Sequence, residues 1–237
     1  MTRKWMKGLL LCVICWLMWP AGPTAEVRTA ADFQWREGPA SSDTLLAPAM
    51  MRDDMYGITI SQFDSLIQKY SDKIGWDWRL LASMLYQESR FNPEARSPQG
   101  AFGVMQMMPA TCAKYGIDTT ATVEQQLAAG VRYLAYLNRL FSDRVPEEQE
   151  RIKFVLASYN VGPGHIFDAV RLADRMGKQT KVWDNNVDSC LLDKSKPEFY
   201  TLPESRNGYC RGQEAFTYVR DVIKRFEGYK NRSLKQL

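Results

Sequence analysis

Apolar residues in this chain recur at helical spacing, and no stretch alternates apolar and polar residues as a series of strands would. The chain is therefore read as mostly α. One of its apolar stripes ends oddly. Trp78, Leu81, Leu85 and Glu88 follow one another at spacings of three, four and three, which puts all four on one face of a helix. Burial disfavours an ionised carboxylate, so Glu88 against Trp and Leu is expected to have its pKa raised toward the range a general acid uses near neutral pH. The competing reading is that Glu88 frays out at a helix end, since Ser89 and Arg90 are polar and Pro93 forbids continuation.

The same periodicity predicts helices from Ile60 to Ser71 (through Phe63, Leu66, Ile67 and Tyr70), from an Asp77 N-cap to Glu88, and from near Gly103. Two more are expected, from Val123 to Phe141 and from Glu147 to Tyr159. Within them the spacing of Val131, Leu134, Tyr136 to Leu140 and of Ile152, Val155, Leu156 is ordinary core patterning, with no other role assigned. Lys178 to Arg211 holds the least helical stretch.

Of 237 residues, 45% are hydrophobic and 12% aromatic, enough for one sizeable core or two small ones, of which one compact domain is the simpler case. The formal charge of +4 includes Arg3, Lys4 and Lys7, which precede the apolar run from Leu9 to Trp19, so the rest of the chain is close to neutral. Net charge thus points to no partner, nucleic acid included. Residues 1–25 read as a signal peptide, with an uncleaved anchor as the other reading, and either implies export to the periplasm or cell envelope. Leu11 before Cys12 and Ile14 before Cys15 depart from the small-residue pattern of lipoproteins, so a soluble or peripherally membrane-associated monomer is expected. Residues 26–57 read as an extended linker, and residues 58–230 as one domain.

Cys112, Cys190 and Cys210 remain, an odd number where disulfides persist. Cys112 suits a buried thiol, and Cys190 with Cys210 is the expected bridge. The single histidine, His165, follows Gly162, Pro163 and Gly164 at a loop-to-helix junction, where capping or packing is favoured over a Ser-His-Asp triad. No His or Cys pair has zinc-ligand spacing, so no metal and no cofactor is expected. Carboxylate chemistry is what is left.

The segment ESRFNPEARSPQGAFGVMQMMPAT from Glu88, then ASYNVGPGH and GYCRGQEAFTYVRDVI, resembles the lytic transglycosylases of glycoside hydrolase family 23. The likeness is closest to the catalytic domain of the membrane-bound F-type subfamily and runs from about Ile58 to Tyr229. It implies a lysozyme-like fold, like that of goose-type lysozyme, and a peptidoglycan substrate. It also implies that Glu88 is the lone catalytic acid and base, cutting between N-acetylmuramic acid and N-acetylglucosamine to leave a 1,6-anhydro end.

By the same resemblance Ser97 and Gln106 hydrogen-bond substrate, Met105 forms an apolar wall, Tyr159 and Asn160 line the groove, and Tyr218 completes its floor. Glu214 fits a supporting position. Taken singly, Ser97 also suits a turn before Pro98, Gln106 a helix start, Glu214 a first helical turn, and Met105 and Tyr159 a core. That subfamily usually carries a large solute-binding-like domain ahead of the catalytic one. Only about 30 residues separate the leader from Ile58, so a stand-alone catalytic unit is expected. A goose-type hydrolase and a non-catalytic murein-binding protein are the alternatives.

Overall fold

The computed structural model describes residues 58–234. The expected leader, with Cys12 and Cys15, and the expected linker lie outside the described residues. Among the described residues the regular elements are helical: α1 Asp64–Ser71, α2 Trp78–Ser89, α3 Pro109–Lys114, α4 Val123–Ser142, α5 Glu148–Val161, α6 Pro163–Arg175, α7 Asp188–Asp193, α8 Pro197–Tyr200 and α9 Gly212–Leu234. Extended pairing is limited there to two isolated bridges, Arg96 with Phe102 and Phe102 with Met107. No helix among the described residues is long and apolar enough to cross a membrane.

Helix starts follow from local chemistry. α1 opens four residues later than predicted, because the Asp64 carboxylate accepts the backbone N–H groups of Ile60 at 2.7 Å and Ser61 at 2.9 Å and holds them in a turn. Asp77 caps α2 as expected, accepting the Arg79 N–H at 2.9 Å. The helix expected near Gly103 is delayed to Pro109, since Gly103 (φ +81°) and Gln106 (φ +46°) both sit in the left-handed region. Thr122 and Gln125 form a reciprocal capping box on α4, and Glu147 caps α5 through the N–H groups of Gln149 and Glu150.

The core centres on α5, which packs against α4, α6 and α9. Phe154 to Ser158 are five consecutive buried residues, covering more than a full turn, so this helix is enclosed on every side near its middle. α2 lies against α1 and α9, and its Leu81 and Leu85 are completely buried. Each such leucine contributes about 1.5–3 kcal/mol relative to exposure.

The stretch Lys178–Arg211 is more ordered than its composition suggested, with an irregular turn at Trp183–Val187 followed by α7 and α8. A buried polar cluster pins it. Asp168 of α6 is 0% exposed and accepts hydrogen bonds from Lys194 Nζ, Arg171 Nη2, the Asn207 backbone N–H (2.8 Å) and Asn207 Nδ2 (2.9 Å). Lys194, itself 0% exposed, also places Nζ 3.1 Å from His165 Nδ1. Burial, helped by the Lys194 charge, holds His165 down at about 4, so the lone histidine packs as a neutral ring, as the loop-to-helix reading expected.

The bridge expected between Cys190 and Cys210 is not formed. Both residues are buried, but they serve different contacts: Cys190 Sγ lies 3.8 Å from Met176 Sδ, while the Cys210 backbone N–H donates to the Lys194 carbonyl at 3.3 Å. The ionic cluster around Asp168 closes this part of the chain where a disulfide was expected. Cys112 is a buried thiol, as expected.

Candidate active site

Glu88 occupies the last turn of α2 and keeps some solvent exposure, while Leu81 and Leu85 on its face are fully buried. Burial pushes its carboxyl up to about 8, and the hydroxyl of Tyr218 works against that rise by donating to Oε1 at 2.6 Å. No neighbouring charge contributes to the shift. Oε2 has no hydrogen-bond partner among the described residues. The expected raised pKa is thus present, and fraying is not: α2 continues through Ser89 before Arg90 (φ +53°) and Phe91 (φ +64°) turn the chain away.

Tyr218 comes from α9, and the α2–α9 seam holds it in place. Two residues before Glu88 on the same helix, Tyr86 receives the Arg225 guanidinium of α9 3.9 Å from its ring centroid. Expected on the groove floor, Tyr218 is 6% exposed and acts on the catalytic candidate directly through its hydroxyl.

The loop from Arg90 to Met108 forms a braced lip beside Glu88. Ser89 donates its hydroxyl to the Val104 carbonyl at 2.9 Å, tying the loop to α2. From α4, the buried Gln126 accepts the Val104 N–H at 2.8 Å and donates to the Ala121 carbonyl at 2.9 Å. Only glycine fits at 103, where a Cβ would meet Gln126 Oε1 at 2.1 Å and the backbone is left-handed. Gln126 was not singled out from sequence, and Ser89 stood there only as part of the motif that begins at Glu88. A glutamine beside Leu127 on the apolar face of α4 was the available signal.

Several expected substrate contacts serve this lip. Gln106 Nε2 donates to the carbonyls of Ala95 (3.0 Å) and Gly103 (2.9 Å), and the Ser97 hydroxyl accepts the Ala101 N–H at 3.0 Å. Met105 corrects the expectation of an apolar sugar wall: it is 1% exposed, with Sδ 2.1 Å from where a Cβ on Gly130 would stand, so its side chain belongs to the core. Its carbonyl accepts the Tyr159 hydroxyl at 2.8 Å.

Tyr159 is half-buried at the end of α5, and its pKa is driven far up, first by burial and then by the Glu88 charge. Asn160 follows it, also half-buried. Glu214 lies in the first turn of α9, one turn before Tyr218, and pairs with Arg211 at 3.4 Å. Glu88 and Tyr218 are therefore brought together, Tyr159 is tied to the lip through the Met105 carbonyl, Ser97 and Gln106 brace the adjoining loop, and Met105 supports it from within.

Residues 65–182 match the family model described as the transglycosylase SLT domain. The chain is 35% identical over 173 residues to a protein of Desulfosudis oleivorans named membrane-bound lytic murein transglycosylase F, covering 73% of this chain and 37% of that one. It is 42% identical over 169 residues to a Shewanella loihica protein of the same name, covering 69% and 34%. The chain spans about a third of the length of the curated relatives it matches. Among solved structures, the 70 kDa soluble lytic transglycosylase of Escherichia coli aligns at 22% identity with a TM-score of 0.45, covering 73% of this chain and 24% of that one.

Proposed function

Because this chain belongs to the SLT-domain transglycosylases, we propose that it is a murein lytic transglycosylase acting in the cell envelope, with Glu88 as its acid and base. The observation that carries the reading is a carboxyl with its pKa raised to about 8 by burial, hydrogen-bonded on one oxygen and without a partner on the other among the described residues. At neutral pH such a group is mostly protonated and can donate.

In the proposed reaction Glu88 Oε2 delivers its proton to the glycosidic oxygen between N-acetylmuramic acid and N-acetylglucosamine as the bond to the anomeric carbon breaks. The resulting carboxylate keeps the Tyr218 hydrogen bond, which strengthens as negative charge develops. It then takes the proton of the muramic C6 hydroxyl while that oxygen bonds to the anomeric carbon. Proton and bond counts balance, and a 1,6-anhydro end forms without water. Glycosidases that add water by the usual routes rely on a second carboxylate, and none contributes to the shift at Glu88.

Mass spectrometry of fragments released from purified murein tests this. Anhydro products, one water lighter than hydrolysis products, are expected from the wild type and none from Glu88→Gln. Reducing-end products would transfer the site to a goose-type hydrolase, and full activity of Glu88→Gln would remove Glu88 from the chemistry.

A further inference from the structure

Gln126 is the one polar side chain buried in α4 among the described residues; Leu127, Val131 and Leu134, buried on the same helix, are apolar. An amide in such a place is unfavourable unless its hydrogen bonds are made. They are made, and all go to backbone around the site. Oε1 accepts the Val104 N–H at 2.8 Å, while Nε2 donates to the Ala121 carbonyl at 2.9 Å and to the Pro93 carbonyl at 3.4 Å. One amide therefore joins the start of the lip, its inner turn and the entry to α4.

Val104 is gripped from both sides. Its N–H goes to α4 through Gln126, and its carbonyl goes to α2 through Ser89, the residue after Glu88. The next residue, Met105, takes the Tyr159 hydroxyl of α5 on its carbonyl. Three helices thus meet on two consecutive residues of the lip. The turn that follows depends on such support, because Gln106 is a non-glycine residue at φ +46°, and backbone of that kind persists only where its surroundings over-determine it. Gly103 packs so closely on the Gln126 amide that a Cβ has no room. A satisfied buried amide specifies one arrangement, where an apolar side chain would fill the same space without fixing any.

We infer that Gln126 is a positioning residue for the reaction at Glu88: its amide fixes residues 103–106 from α4, at the distance from Glu88 that catalysis requires. This rests on the functional reading above. Gln126 is 3% exposed and acts through Val104, not on substrate. Without the amide, Ser89 still ties Val104 to α2, but the lip loses its bond to α4 and with it a fixed place beside the acid.

The test measures kcat and KM of the full chain on soluble murein glycan strands, at a temperature where circular dichroism shows each variant folded. Gln126→Met fills nearly the same volume and removes all three bonds. Some loss of melting temperature follows from any role, so the split between kcat and KM decides. A displacement of about 1 Å at a reacting centre can cost about a hundredfold, and kcat is expected to fall by about ten- to a hundredfold with KM within about twofold. Gln126→Glu keeps the acceptor for Val104, and at about pH 5.5 a buried carboxyl is protonated and can donate to Ala121, so kcat there is expected within about threefold of wild type. Gln126→Asn, which withdraws the amide by one methylene, is judged as the Met variant is, should that variant fail to fold. An unchanged kcat in the Met or Asn variant, a loss carried by KM alone, or a Glu variant as impaired as the Met variant would overturn the positioning role. Failure of the wild type to release any fragment from murein would instead sink the functional reading.

Discussion

Replacing Tyr218 with Phe removes one oxygen and leaves the ring in the α2–α9 seam. The lost interaction is a 2.6 Å hydrogen bond to a carboxyl that burial has already pushed up to about 8. A hydrogen bond to an ionised group contributes about 1.5–3 kcal/mol, and one pKa unit corresponds to about 1.4 kcal/mol. The bond lowers the Glu88 pKa by favouring the carboxylate, so its loss should raise that pKa by about one to two. In the proposed mechanism activity requires the protonated acid and falls as pH rises through this pKa. The falling limb, near pH 8 in the wild type, should therefore move upward in the variant. The plateau below the limb should drop by about ten- to a hundredfold, because the carboxylate formed in the reaction loses its donor. Turbidity clearing of murein suspensions from pH 5 to pH 10 reads both effects. A limb that stays in place or moves to lower pH, or a plateau equal to wild type, would refute the reasoning.

Lys194→Met leaves Asp168 buried with its lysine partner gone and should cost about 3–5 kcal/mol in urea unfolding; a loss under about 1 kcal/mol would show that Arg171 and Asn207 suffice. Dithiothreitol should leave the melting temperature of the protein unchanged, since no disulfide joins Cys190 and Cys210; a clear drop on reduction would restore the bridge expected from sequence.

The helical class and the placing of Glu88 on a buried face were legible because both rest on local periodicity, which Leu81 and Leu85 preserve in three dimensions. What was not legible depends on groups distant in sequence. Tyr218 fits a family position, yet nothing in its surroundings says that its hydroxyl ends on a carboxyl 130 residues earlier. Gln106 and Ser97 were assigned outward roles that their own loop partly claims, because backbone carbonyl positions in a left-handed turn leave no compositional trace. Lys194 shows the same limit from the other side: a lysine among Asp193, Ser195 and Lys196 reads as solvated, and only the fold brings Asp168 against it.

The hydrogen bond from Tyr218 also bears on how such a protein is born. During synthesis the stretch from Glu88 to Asn160 emerges well before α9, so until α9 packs on α2 the Glu88 carboxyl lacks the partner that stabilises its ionised form. For the proposed wall-cutting activity this arrangement is a safeguard. In the proposed function, full catalytic competence waits on α9 folding against α2.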